Sequence, residues 1–127
     1  MAFSNIQTIP ILRIFDEAKA KEFYVDYLGF TVDWEHRYGE NFPLYMQVSR
    51  GGLVLHLSEH YGDSNPGSAV YIRAAGLVEL HQELQVKDYK YLKPGLCREE
   101  NSVELNLLDP FGNKLRLNED GKSEGKD

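Results

Sequence analysis

Residues 10–30, PILRIFDEAKAKEFYVDYLGF, carry the unit from which the rest of the chain can be read. The run 6–14, IQTIPILRI, has the apolar density of a strand, and Pro10 inside it lacks a ladder donor, which places this strand at an edge or a crossing. Asp16 is a suitable helix N-cap, because its short carboxylate can accept from the first free backbone N–H groups. Ala20, Phe23, Tyr24, Tyr27 and Leu28 then recur at helical spacing until Gly29 stops the pattern. An amphipathic helix over 17–28 is predicted.

Outward from this unit, strand-like runs follow at 30–36, 43–49 and 53–58, the last two separated by Arg50-Gly51-Gly52, which suits a tight hairpin. A polar link from Glu59 to Ser68, containing Asn65-Pro66-Gly67, precedes a second round of the same pattern. It has a strand at 69–74 and a helix at 77–87, with Leu77, Leu80 and Leu84 on one side. Further strands near 89–98, 102–108 and 114–118 complete it, the last pair joined by Asp109-Pro110-Phe111-Gly112-Asn113. The expected fold class is α+β, with two βαβββ modules, about 6–58 and 69–118, in one domain over 1–119. Residues 120–127 offer nothing to bury and are expected to form a disordered tail.

A chain of 127 residues suffices for one domain, and 42% hydrophobic with 27% charged residues excludes disorder, collagen-like repetition and a disulfide scaffold. The single Cys97 can close no intrachain disulfide and builds no Cys-rich zinc site, so a reducing, cytoplasmic setting is expected. Met1 to Gln7 lacks the basic and apolar regions of a signal peptide, and no run approaches the roughly 20 apolar residues that span a bilayer. Acidic residues outnumber basic ones by 20 to 14, a net charge of −6 that disfavours nucleic acid.

Side chains alternate across a strand, so parity separates core from potential site. Leu44, Met46 and Val48 oppose Tyr45 and Gln47. Leu53, Leu55 and Leu57 oppose His56 and Ser58, while Val70 and Ile72 oppose Tyr71 and Arg73. Val103, Leu105 and Leu107 oppose Glu104 and Asn106, and Leu115 and Leu117 oppose Lys114, Arg116 and Asn118. A merely solvated face would be rich in Glu, Lys and Thr. Tyr45, His56, Tyr71, Arg73, Glu104, Asn106 and Arg116 instead make a mixture suited to ligand recognition. The plain alternative is a half-wet sheet face whose polar groups satisfy one another, for example through a Glu104–Arg116 cross-strand pair. Trp34 shares the parity of Val32 and is expected in the core, leaving Tyr45, Tyr61 and Tyr71 as stacking candidates.

The helix ending FY-x-x-x-LGF at 23–30 and the hairpin LLDPFGNKLRL at 107–117, in that order, resemble the glyoxalase/bleomycin-resistance/dioxygenase superfamily, the vicinal oxygen chelate proteins, over residues 6–118. The resemblance implies mixed sheets curled around a cleft with the helices outside, usually in a homodimer. It also implies metal-ligand positions on four strands, which fall on Ile9, His56, the vicinity of Ala69, and Arg116. Only His56 could coordinate, whereas a divalent site needs about three protein ligands, and a guanidinium repels the cation. Neither a metal nor another cofactor is expected. In the metal-free, bleomycin-resistance-like branch, a proline in the first strand accompanies exchange of the N-terminal arm across the dimer. An ordinary edge-strand proline is the alternative for Pro10.

The remaining candidates read as structural. The spacing of His56 and His60 does not converge along a strand running into a turn, and His36 and His81 read as surface or helix-face residues. Cys97 reads as a buried or semi-exposed bystander, and Asp109 as part of a tight connection. The leading expectation is a cytoplasmic homodimer that sequesters a drug or metabolite without metal and without catalysis. The seven face residues would line its clefts. Arg73 and Arg116 favour a partly anionic or carbonyl-rich ligand. The alternative is a lyase, isomerase or dioxygenase using His56 with a displaced metal site or as a general base.

Overall fold

The computed structural model describes residues 2–87 and 94–121. Strand β1 (Ile11–Arg13) leads into helix α1 (Glu17–Lys21), which widens to a π-helical stretch over Glu22–Tyr27. Strands β2 (Thr31–His36), β3 (Tyr45–Arg50) and β4 (Leu53–Ser58) finish the first module. The second has β5 (Ala69–Arg73), α2 (Leu77–Gln85), β6 (Leu96–Arg98), β7 (Ser102–Leu108) and β8 (Lys114–Asp120). The strands form two four-stranded sheets, β1-β4-β3-β2 and β5-β8-β7-β6, the same order twice. In each, the first strand runs parallel to the last and the other pairs are antiparallel. This is the expected α+β fold of two βαβββ modules, with no helix long and apolar enough to cross a membrane among the described residues.

Local chemistry explains the boundaries. Asp16 caps α1 by accepting from the Lys19 N–H at 2.9 Å. The helix then loosens, since the Leu28 N–H reaches back five residues to the Phe23 carbonyl, and Gly29 ends it at φ 77°. Between β3 and β4 the two-residue Gly51-Gly52 loop has φ of 57° and 90°, the backbone that a tight hairpin demands. Strand β1 is shorter than the predicted 6–14, because its pairing begins with the Pro10 carbonyl accepting from His56 N–H and ends with Ile14 N–H donating to Ser58. Of the edge or crossing expected from Pro10 the structure shows the edge, with Pro10 immediately before the strand.

Three further boundaries differ from expectation. Helix α2 stops at Gln85 rather than 87, and of the predicted strand 89–98 only Leu96–Arg98 is strand, residues 88–93 lying outside those described. Asp120, assigned to the tail, is instead paired with Ser102 at the end of β8, and Gly121 N–H donates to the Asn101 carbonyl. The backbone ladder persists there without any apolar side chain to bury. The rest of the predicted tail, 122–127, lies outside the described residues.

One core cluster takes the apolar parity of both sheets: Leu12, Ile14, Leu44, Met46, Val48, Leu55 and Leu57 from the first, Leu105, Leu107, Leu115 and Leu117 from the second. Ala20, Phe23, Tyr24 and Tyr27 of the first helical segment and Leu77 and Leu84 of α2 complete it. The modules are tied at two joints. At one, buried Asp109 accepts from Tyr24 Oη at 2.6 Å, from the Phe111 and Asn113 N–H groups at 2.8 Å each, and from Asn113 Nδ2 at 2.9 Å. Asn113 Nδ2 also donates to the Arg13 carbonyl at 2.8 Å. The structural role expected of Asp109 is therefore extended, since it joins the second module's turn to the first module's helix. At the other joint, Arg50 meets Glu83 through two hydrogen bonds and Lys87 donates to the carbonyls of Asp26 and Tyr27.

Candidate functional site

On the open face of the first sheet, Tyr45, Gln47 and His56 stand together because β3 and β4 pair Gln47 with His56 and Tyr45 with Ser58. Tyr45 Oη lies 2.6 Å from His56 Nδ1, and His56 Nε2 lies 2.9 Å from Gln47 Oε1. Gln47 Nε2 donates to Asp33 at 3.1 Å, and Ser49 Oγ donates to the same carboxylate at 3.0 Å. Burial lowers the pKa of His56 below the ordinary imidazole value. The Tyr45 hydroxyl is pushed up, first by burial and then by the charge of Asp63.

Trp34 belongs to this patch, contrary to the expectation of a core position. Its ring stacks on Tyr45 at 6.0 Å with planes 8° apart and meets the His56 edge at 5.3 Å, and it is 43% exposed. The cause is a bulge. Val32 pairs with Val48 but Trp34 pairs with Gln47, so one residue, Asp33, is extra and the parity downstream is reversed. Sequence alternation could not have found this, although the same alternation did put Gln47 on the polar face.

The other five predicted residues lie on the second sheet. Tyr71 is opposite Arg116, Arg73 opposite Asn118, and Asn106 opposite Arg116. Glu104 accepts from Asn106 Nδ2 at 3.0 Å and from Arg116 at 3.3 Å, and these bonds, Asn106 first, lower its pKa. The expected Glu104–Arg116 pair is thus present, at the surface. Tyr71 is 55% exposed, and among the described residues Arg73 has no carboxylate partner. No hydrogen bond, ion pair or ring contact links this group to Tyr45 and His56 among the described residues. Three surface cavities measure about 620, 720 and 480 Å³, and of the seven predicted residues only Arg73 lines any of them.

Other candidates resolve individually. Cys97 is exposed on β6 opposite Glu104, not buried or semi-exposed, because the short edge strand turns it onto the open face. Ser58, assigned by parity to the open face, is buried, since Asp63 and the His60 N–H of the following link fold onto its hydroxyl at 2.7 and 3.0 Å. His81 contacts Gln85 one helical turn away, and His36 meets Tyr38 edge to face.

A divalent ion would need about three donors. Both nitrogens of His56 are engaged by protein groups, its β1 neighbour in register is the hydrocarbon Ile11, and the corresponding place on β8 holds the cation Arg116. Among the described residues no three His, Cys, Asp or Glu side chains are grouped to hold a metal. The register thus sets Ile11, not Ile9, beside His56, and Tyr71, not Ala69, beside Arg116, and with either choice the residues do not fit the ion.

A family model described as glyoxalase superfamily protein matches residues 2–124. A bleomycin-binding protein crystallised with bleomycin superposes with a TM-score of 0.65 at 23% identity, covering 91% of this chain and 99% of its own. A glyoxalase/bleomycin resistance protein from Streptomyces sp. CB03234 gives 0.63 at 22% identity, with 87% and 99% covered. The bleomycin resistance determinant encoded on the transposon Tn5 gives 0.64 at 21%, with 93% and 100% covered. No curated protein sequence matches the chain.

Proposed function

The chain belongs to the glyoxalase superfamily, and on that premise we propose that it binds a drug-sized organic molecule by sequestration, without metal and without chemical change. The observation that carries this reading is the aromatic patch of exposed Trp34 and half-buried Tyr45 and His56 on the open face of the first sheet. Large rings held half-bare by a rigid sheet give stacking area at little entropic cost. The likeness to proteins described as binding bleomycin or conferring resistance to it supports the same class of ligand.

The seven predicted residues fall into two groups on different sheets, Tyr45 and His56 against Tyr71, Arg73, Glu104, Asn106 and Arg116. We propose that a homodimer completes the cleft by setting the first group of one copy against the second group of its partner, giving two equivalent sites. The arm before Pro10 supports exchange of the N-terminal segment, since Phe3 and Ile6 are 89% and 63% exposed on backbone outside β1.

Trp34 is the sole tryptophan, so its fluorescence reports on the patch alone. Titration with bleomycin and other antibiotics that carry aromatic rings, read by that signal and by native mass spectrometry, should give a saturable change and a complex of two chains with two ligands. A monomer that leaves Trp34 unperturbed by every compound would defeat the reading, and stoichiometric metal in protein purified without chelator would defeat its metal-free part.

A further inference from the structure

The hydrogen bonds of the first sheet's open face run in one direction, and their direction is fixed at one end. Asp33 is a carboxylate and can only accept, so the amide of Gln47 must turn Nε2 toward it and Oε1 toward His56. Gln47 Oε1 then accepts the proton on His56 Nε2. This leaves Nδ1 as a lone pair, and the Tyr45 hydroxyl donates into it. The single hydrogen of Tyr45 is consumed inside the patch. Its oxygen keeps a lone pair for whatever lies above the sheet.

We propose that Tyr45 Oη is locked as an acceptor at neutral pH, so that this face selects the hydrogen-bond-donating, cationic end of an aromatic ligand, and that one proton on His56 reverses the selection. The inference rests on the reading that this face binds the ligand. When a solvent proton occupies Nδ1, that nitrogen must donate to Tyr45 Oη, and the phenolic hydrogen, still bonded to its oxygen, turns outward as a donor. No covalent bond other than the new N–H is made or broken.

The surroundings of His56 permit the switch. From β1 it faces Ile11, from β3 Tyr45 and Gln47, and from β2 Trp34. None of these carries a charge; beyond them, the titratable His36 of β2 stands opposite Tyr45 in register and packs edge to face on Tyr38, and Arg13 of β1 is turned to the Glu59 carbonyl. Asp33 stands one amide away, without a cationic partner among the described residues, and Asp63 acts on Tyr45. Burial favours the neutral imidazole over the charged one. The Trp34 N–H is a donor in both states and does not contribute to the change. The negative charge of Asp33 favours the same cationic group that Tyr45 Oη accepts from, with ring stacking on Trp34 adding to it.

Two single-ring probes separate the outcomes by quenching of Trp34: benzamidine, a cationic donor, and acetophenone, an uncharged acceptor. Titrations are made on either side of the His56 titration, which is itself followed by the imidazole resonances in NMR. At neutral pH benzamidine should bind about tenfold more tightly than acetophenone, roughly 1.4 kcal/mol. Once His56 is protonated, benzamidine should weaken and acetophenone should strengthen several-fold. The Tyr45→Phe variant keeps the ring and should still be quenched, but the pH response of acetophenone should vanish. The switch is refuted if acetophenone binds equally at both pH values, or if Tyr45→Phe retains the full acetophenone response. If neither these probes nor bleomycin perturbs Trp34, the binding face itself is misassigned and the switch falls with it.

Discussion

The first and second sheets are built in the same strand order, yet their open faces treat polar atoms differently. On the first, Tyr45, His56, Gln47, Asp33 and Ser49 hydrogen-bond in a continuous chain under a stacked Trp34. On the second, Glu104, Asn106 and Arg116 form a small surface group while Tyr71 and Arg73 stand exposed. A duplicated backbone plan fixes where a side chain points but not whether its neighbours complete its bonding. A satisfied, half-buried network holds its rings in one geometry, whereas an exposed charge pair is screened and mobile in its effect.

The largest test of this contrast concerns the joint that the two sheets share. Asp109→Ala should destabilise the protein by about 4 kcal/mol, because it strands the donors of Tyr24 and Asn113 in the interior. Urea unfolding followed by Trp34 fluorescence for the first sheet and by amide exchange for the second should still give one transition. Two separated transitions would mean that the modules fold independently. Next, the hidden faces should be equivalent where the open faces are not. Leu57→Ala and Leu115→Ala, at 0% and 1% exposure, should each cost about 3 kcal/mol, a difference between them above about 2 kcal/mol contradicting the equivalence.

A smaller loss, about 1 kcal/mol, is expected for Tyr45→Phe in the same unfolding assay, from the bond to His56. Acidification sharpens the same comparison. Since burial depresses the His56 pKa in the folded state, the unfolded chain takes up the proton first as pH falls below the ordinary imidazole value of 6.5. The His56 contribution to stability is therefore complete above that pH and declines below it. His56→Gln should flatten this part of the pH profile, and an unchanged profile would place the titration elsewhere. Smallest of all, Arg116→Ala should leave the urea midpoint unmoved, because its partner Glu104 is at the surface. It should weaken only an acceptor-bearing ligand, as measured by titration.

The comparison also marks how far alternation of side chains carries. It placed Met46, Val48, Leu55 and Leu105 in the core and Tyr45, Gln47 and His56 on the open side, because a regular strand has a strict period of two. It failed at Trp34, where one inserted residue in β2 reversed the period, and at Ser58, where the chain beyond the strand folded back as a cover. Neither a bulge nor a covering loop leaves a mark in the spacing of apolar residues. Asp33, which orients the whole chain of bonds, is the inserted residue itself.

By its sequence alone this protein committed itself to two βαβββ modules, to a proline-bearing edge strand and to hairpins at Gly51-Gly52 and Asp109 to Asn113, all of which depend on interactions between residues close in the chain. The tertiary structure alone decided that Trp34 caps the Tyr45–His56 pair, that Tyr24 and Asp109 lock the modules across 85 positions, and that the seven candidate residues divide between two sheets. The reason is one of range. Periodicity and turn chemistry act over a few residues, while the polarity of a hydrogen-bond chain depends on which strand is laid beside which.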